Sequence, residues 1–274
     1  MSHQHPSITY SSAYGGIFDT HAHYDDEDFD PDRAGVLGAL AACGVSHVLN
    51  CGSSLASSER SVRLAHEYGF IRAAVGVHPH EAEHTPADTV ERLRALACDE
   101  KVAAIGEIGF DYSREPDKDA QRLWFERQME LAAELGLPVI IHDRDAHADC
   151  IAMARQFAGK VRRGIFHCYS GSAESAREVI AMGYYIAIGG ICTFTNARRS
   201  LEVAASIPED RLLLETDCPY LAPHPYRGER NDSRLLYLTL EALARARGTD
   251  PQRLADVTRE NGMRVFGERA AGGQ

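Results

Sequence analysis

The chain has 274 residues, a length that suits one α/β barrel of roughly 250 residues with short ends to spare. With 44% apolar and 25% charged residues, and no run near the ~20 apolar residues of a membrane helix, the composition describes a globular domain with a large core. The net charge of −11 argues against a surface built for nonspecific grip on duplex nucleic acid, which needs many Lys and Arg contacts to phosphate, without excluding a nucleic-acid substrate.

In chain order, the opening MSHQHPSITYSSAYGG carries neither a basic start nor an apolar stretch typical of a secretory signal. Residues 1–15 read as a flexible leader in which His3 and His5 are solvated, residues 16–267 as one domain, and 268–274 as a flexible tail. The seven cysteines are odd in number and form no C-x-x-C pair, so neither a disulfide framework nor a structural zinc site is expected. A reducing, cytoplasmic setting follows, with no membrane contact and no obligate protein partner.

Eight short apolar runs then recur: Gly16–Thr20, His47–Cys51, Ile71–Val77, Val102–Gly106, Pro138–Ile141, Gly164–Phe166, Tyr184–Ile188 and Leu212–Leu214. Amphipathic segments with helix signals separate them. Asp30-Pro31 supplies an N-cap with proline in the first turn, and Gly44 closes that helix. Asp119 to Leu135 spaces Leu123, Met129, Ala132 and Leu135 along one helical face before Gly136; Ser172 to Met182 stops at Gly183. Strands alternating with helices predict parallel pairing with right-handed crossovers. Eight such units predict an α/β fold of the (β/α)8 TIM-barrel type, whose active site lies at the C-terminal ends of the strands.

That rim is where chemistry-bearing residues gather. The first run ends in "THAH", and alternation along a strand puts His21 and His23 on one face. His78 follows the third run, Glu107 the fourth, His142 the fifth, His167 the sixth and Asp217 the eighth. Two His with one Glu and one Asp complete one cation site, and two further His complete a second if the Glu carboxylate bridges. Imidazole with carboxylate suits zinc or manganese, with magnesium acting by mass action.

The segments "DTHAHYD", "GVHPH", "IGEIGFDY", "VIIHDRDA", "FHCYSGS", "GYYIAIGGICTFTNA" and "LLLETDCPYLAPHPYRGERN" resemble the motifs of the TatD family of metal-dependent deoxyribonucleases, in family order from Ile17 to Phe266. The resemblance implies an amidohydrolase-like barrel that hydrolyses DNA, with 3′→5′ exonuclease action at single-stranded ends. It implies two divalent cations, the first held by His21, His23 and Asp217, the second by His142 and His167, with Glu107 bridging.

The chemistry expected of such a site is in-line attack on a phosphodiester by a hydroxide shared between the ions, with Asp217 accepting its proton. Glu215, two residues earlier, is a candidate to fix a ligand histidine from behind. His78, Arg144, Arg227 and Arg230 are candidate phosphate or substrate contacts. Tyr112, Tyr169 and Tyr220 are candidates to stack on an unpaired base or simply to pack. Two rival readings use the same site: an amidohydrolase of a small cyclic amide or ester, many of which bridge their metals with a modified lysine where this chain has Glu107, and a D-aminoacyl-tRNA deacylase.

Overall fold

The computed structural model describes residues 7–115, 117–161 and 163–267; residues 1–6, with His3 and His5, and the 268–274 tail lie outside the described residues. Eight parallel strands form one sheet in sequential order: β1 (Ile17–Ala22), β2 (Val45–Cys51), β3 (Ile71–Val75), β4 (Val102–Asp111), β5 (Val139–Arg144), β6 (Gly164–Phe166), β7 (Tyr185–Ile188) and β8 (Leu212–Leu214). Helices α1 (Arg33–Ala39), α2 (Leu55–Glu67), α3 (Thr89–Ala97), α4 (Lys118–Leu135), α5 (His147–Gln156), α6 (Ala173–Ala181), α7 (Arg198–Ser206), α8 (Leu236–Arg247) and α9 (Pro251–Phe266) alternate with them. The fold is the (β/α)8 barrel that the alternating pattern predicts. Every strand of it overlaps one of the eight apolar runs.

The ring closes just past β8. The Asp217 N–H donates to the His21 carbonyl at 2.9 Å and the His23 N–H to the Cys218 carbonyl at 2.8 Å. Asp19 braces this seam by accepting from the Thr216 N–H, the Thr216 hydroxyl and the Ser233 hydroxyl. The closing hydrogen bonds thus bring the first histidine pair beside the last aspartate.

Two apolar layers set the direction of the barrel. Between strands and helices lies a continuous core that includes Val36, Leu64, Leu93, Phe125, Val179 and Leu243. Inside the ring a second cluster stacks Phe18, Leu49, Ala74, Ile140, Ile165 and Leu213 onto Val265 and Phe266 of α9. That end is plugged with hydrocarbon, so the inward-facing polar residues collect at the opposite, C-terminal mouth.

The local signals hold with shifts. Helix α1 starts at Arg33 behind Asp32, not at Asp30-Pro31, while Asp30 instead pairs with Arg33. Gly44 closes the turn after α1 in the left-handed conformation, φ 79°, where a Cβ is disfavoured. Helix α4 is capped by Asp117, two residues ahead of the expected start at Asp119, and Gly136 ends it. Its buried face is Gln121, Trp124, Phe125, Gln128, Met129, Leu131 and Ala132, leaving Leu123 46% exposed against the expectation that it packs. Ser172 caps α6. Residues 8–15, expected as flexible leader, are tied down: the Thr9 N–H donates to the Tyr226 hydroxyl and the Gly15 N–H to Gln252 of α9, at 2.9 Å each.

Candidate metal centre

Two register irregularities aim the site. Along β1, Phe18 faces the barrel interior, and simple alternation would send His21 outward to the helices; the register shifts between Asp19 and Ala22, and both histidines come to face inward. Along β4, Ile105 and Ile108 both pack in the outer layer although three residues apart, and the register shifts between them. That bulge turns the intervening Glu107 into the barrel. Glu107 and His142 therefore lie within β4 and β5 rather than just beyond their ends as the apolar runs imply.

All six expected ligands meet. His21 Nε2 stands 3.0 Å from His23 Nε2, 3.4 Å from Glu107 Oε2 and 3.5 Å from Asp217 Oδ1. His23 Nε2 is 3.5 Å from each of the same two carboxylate oxygens. Donors with these spacings lie about 2 Å from a common centre, which is the length of zinc–nitrogen and zinc–oxygen bonds. The other oxygen of Glu107, Oε1, is 2.7 Å from His142 Nδ1 and 2.8 Å from His167 Nε2, and those two nitrogens are 3.0 Å apart. The arrangement fits two cations with Glu107 between them.

Partners behind the rings select which nitrogen faces inward. His23 Nδ1 donates to the Cys51 carbonyl at 2.8 Å, leaving Nε2 as the electron-pair donor. His142 Nε2 is 3.2 Å from Asp111 Oδ2, freeing Nδ1. Asp111 also holds His80 Nε2 at 2.9 Å and accepts from Ser113. Sequence reasoning missed Asp111 and Asp19. Both are strand carboxylates inside the motif segments, and their partners include residues far along the chain: Thr216 and Ser233 for Asp19, His142 and His80 for Asp111.

The groups set one another's charge. Burial draws His21 down to about 4 and keeps His78 well below the imidazole range. Burial also opposes charge on His23, but Asp217 and Glu107 outweigh it and raise the ring to about 10; Asp111 and Glu107 do the same for His142, to about 9. Burial would raise Glu107 and Asp217, yet the facing imidazoles hold both below the usual carboxylate range. Asp217 adopts the left-handed conformation, φ 60°, which Asp tolerates better than most residues.

The remaining expected residues divide. A cavity of about 840 Å³ opens over the cluster and is lined by His78, Arg144 and Tyr220, together with Arg60 and Arg114, which the motifs did not flag. His78 Nε2 lies 3.6 Å from Glu107 Oε1, so it joins the second donor group as well as the wall. Tyr220 is 52% exposed, with its hydroxyl on Asp26, whereas Tyr169 is buried against Ser172 and Ser175 and Tyr112 bonds Asp149. Neither Arg227 nor Arg230 lines the cavity. Arg227 stacks on Phe194, and Arg230 forms two hydrogen bonds with Asp32 at 2.7–2.8 Å while covering Phe29. The proline-rich loop uses its arginines to hold itself down. Glu215 is fully buried beneath the cluster, 4.0 Å from His167 Nδ1.

Comparison with known proteins identifies the family and the fold. The family model described as TatD related DNase matches residues 18–267. The metal-dependent hydrolase YabD of Bacillus subtilis is 40% identical over 251 residues, spanning 91% of this chain and 98% of the relative. The 3′-5′ ssDNA/RNA exonuclease TatD of Cronobacter sakazakii is 40% identical over 260 residues, spanning 91% and 97%. Among solved structures, the TatD homologue YJJV of Escherichia coli superposes with a TM-score of 0.88 at 29% identity, covering 92% of this chain and 98% of that one. With a family match over residues 18–267, relatives at 40% identity and the same barrel, this chain belongs to the TatD family of metal-dependent hydrolases.

Proposed function

We propose that the chain is a two-cation nuclease that removes nucleotides from the 3′ end of DNA, single-stranded ends foremost. The observation that supports this most is the split carboxylate of Glu107, with one oxygen facing His21 and His23 and the other facing His142 and His167. His21, His23 and Asp217 would hold the first cation, His142 and His167 the second, with Glu107 shared. A bound pair of zinc, manganese or magnesium ions supplies an activated water and neutralises charge building on the phosphoryl oxygens.

The chain's own groups do the rest. Asp217, held ionised by the facing imidazoles and lining the cavity, would take a proton from the attacking water. Arg144, Arg114 and Arg60 offer guanidinium forks to the phosphates of the strand, and Tyr220 offers a ring face to an unpaired base. His78, just beyond the third strand and 3.6 Å from Glu107 Oε1, would meet the same phosphate. All seven cysteines are free thiols, which suits the reducing cytoplasm, and among the described residues no helix is long and apolar enough to cross a membrane.

The test is digestion of oligonucleotides labelled at the 5′ end, in DNA and RNA versions, with and without added Mn²⁺, Zn²⁺ or Mg²⁺. The reading expects a ladder shortening from the 3′ end that chelation abolishes and metal restores. Metal-loaded protein that leaves every strand intact but opens a cyclic amide or deacylates D-aminoacyl-tRNA would overturn the substrate assignment.

A further inference from the structure

Behind the proposed cation sites, on the side away from the cavity, three polar atoms are buried without a hydrogen-bond partner among the described residues: His21 Nδ1, His167 Nδ1 and Glu215 Oε2. The three residues that carry them are neighbours. The rings of His21 and His167 stack nearly parallel, 8° apart with centroids 3.9 Å apart, although one ring serves each cluster. Glu215 is wholly buried next to them, and a ring nitrogen of each histidine falls within 4.8 Å of a Glu215 carboxylate oxygen and of the other. Glu215 Oε1 is 4.0 Å from His167 Nδ1 and accepts from the Cys168 N–H, which pins the carboxyl to the residue after His167.

These separations choose between occupants. Donors around a cation with bonds of about 2.1 Å stand roughly 3.4–3.6 Å apart, closer than the 4.0 Å seen here. A point at the centre of a triangle no wider than 4.8 Å lies within about 2.8 Å of each corner, the ordinary length of a water hydrogen bond. Leaving all three atoms unpaired would carry the full desolvation penalty of each.

We propose that Glu215 is one positioning carboxyl shared by both cation sites, reaching Nδ1 of His21 and of His167 through a single enclosed water. The inference rests on the two-cation reading above and adds that the two sites have a common support. Each Nδ1 then carries the proton and each Nε2 the electron pair, so one residue fixes the inward-facing tautomer in both clusters. Asp111 makes the contrast, since it stands behind His142 of the second cluster only.

The test is stepwise metal affinity, measured by competition with a chromophoric chelator on full-length Glu215→Gln, Glu215→Ala and Asp111→Asn proteins, with thermal stability of the metal-free forms recorded alongside. Glu215→Ala is expected to weaken both binding steps ten-fold or more, the usual cost of removing an outer-shell partner. Glu215→Gln, which keeps volume and one acceptor and should fold where alanine fails, weakens both to a smaller extent, and Asp111→Asn weakens one. Histidine nitrogen NMR of the wild type should show the Nδ1–H form for both His21 and His167. Loss confined to one step in both Glu215 variants, lowered thermal stability with both affinities unchanged, or a third equivalent of metal that disappears with Glu215 would each overturn the shared role. A wild type that takes up no pair of cations would instead overturn the reading underneath it.

Discussion

Glu107 is the side chain on which both clusters close, with four imidazole nitrogens within 3.5 Å of its two oxygens. Glu107→Ala is therefore expected to lower hydrolysis by at least about 10³-fold, the scale on which two-metal clamps act through electrostatic stabilisation; turnover within a few-fold of wild type would rule the bridge out. At the rim, Arg144 lines the cavity whereas Arg227 lies on Phe194, which favours Arg144 among the candidate phosphate contacts. Arg144→Ala should raise KM for oligonucleotides several-fold with a smaller effect on kcat, and a shallower salt dependence should accompany it. Arg227→Ala, whose guanidinium lies on Phe194, should leave KM within about two-fold, since an exposed cation–π contact is worth only about 0.5–1 kcal/mol. Steady-state kinetics on a short labelled strand separate the two. At this scale the sequence showed the six clustered residues because each is a His, Glu or Asp within three residues of the end of an apolar run. It could not show that Arg230 is taken by Asp32, because that partner lies 198 residues away in the chain.

Elements place those residues, and the strands carry most of the information. Eight apolar runs were readable because parallel strands covered on both faces need them continuous. What could not be read were the two register shifts, in β1 and β4, that turn His21, His23 and Glu107 inward, because a bulge is defined by the neighbouring strand's register and not by its own residues. Close approach between β4 and β5 adds a second constraint. Gly109 sits at φ 146°, and a Cβ there would overlap the His142 carbonyl oxygen. Gly109→Ala should thus destabilise the fold by roughly 3 kcal/mol or more, combining backbone strain with overpacking, as read from denaturant midpoints. The cap of α4 behaves more simply. Asp117 accepts from the Asp119 and Ala120 N–H groups at 3.0 Å each, and Asp117→Ala should cost about 1 kcal/mol without affecting turnover. Leu123 was misplaced on the same helix because spacing near 3.6 residues fits two adjacent stripes, and only the barrel decides which one it covers.

For the whole molecule, the division of labour is between a hydrocarbon plug at one mouth and a cluster of acids and imidazoles at the other. Binding cations there competes with protons. His23, at about 10, and His142, at about 9, are protonated at neutral pH before a cation arrives and must become neutral to ligate. Metal uptake between pH 6 and 8 should release about two protons per chain, so apparent affinity rises with pH and fails in acid. Calorimetry in buffers of different ionisation enthalpy reads that number directly, and release of none would contradict the charge state described for the site. The family resemblance was legible because its motifs are the strand ends themselves. The supports behind them, Asp19, Asp111 and the placement of Glu215, were less so, since each works through a neighbour that only closure of the barrel supplies. The most direct test of the account is the metal content of protein exchanged into excess divalent ion and then freed of loosely bound metal. Two ions per chain in the wild type and at most one in Glu107→Ala are the predicted values. A single ion in the wild type, or two retained without Glu107, would contradict the shared carboxylate at its centre.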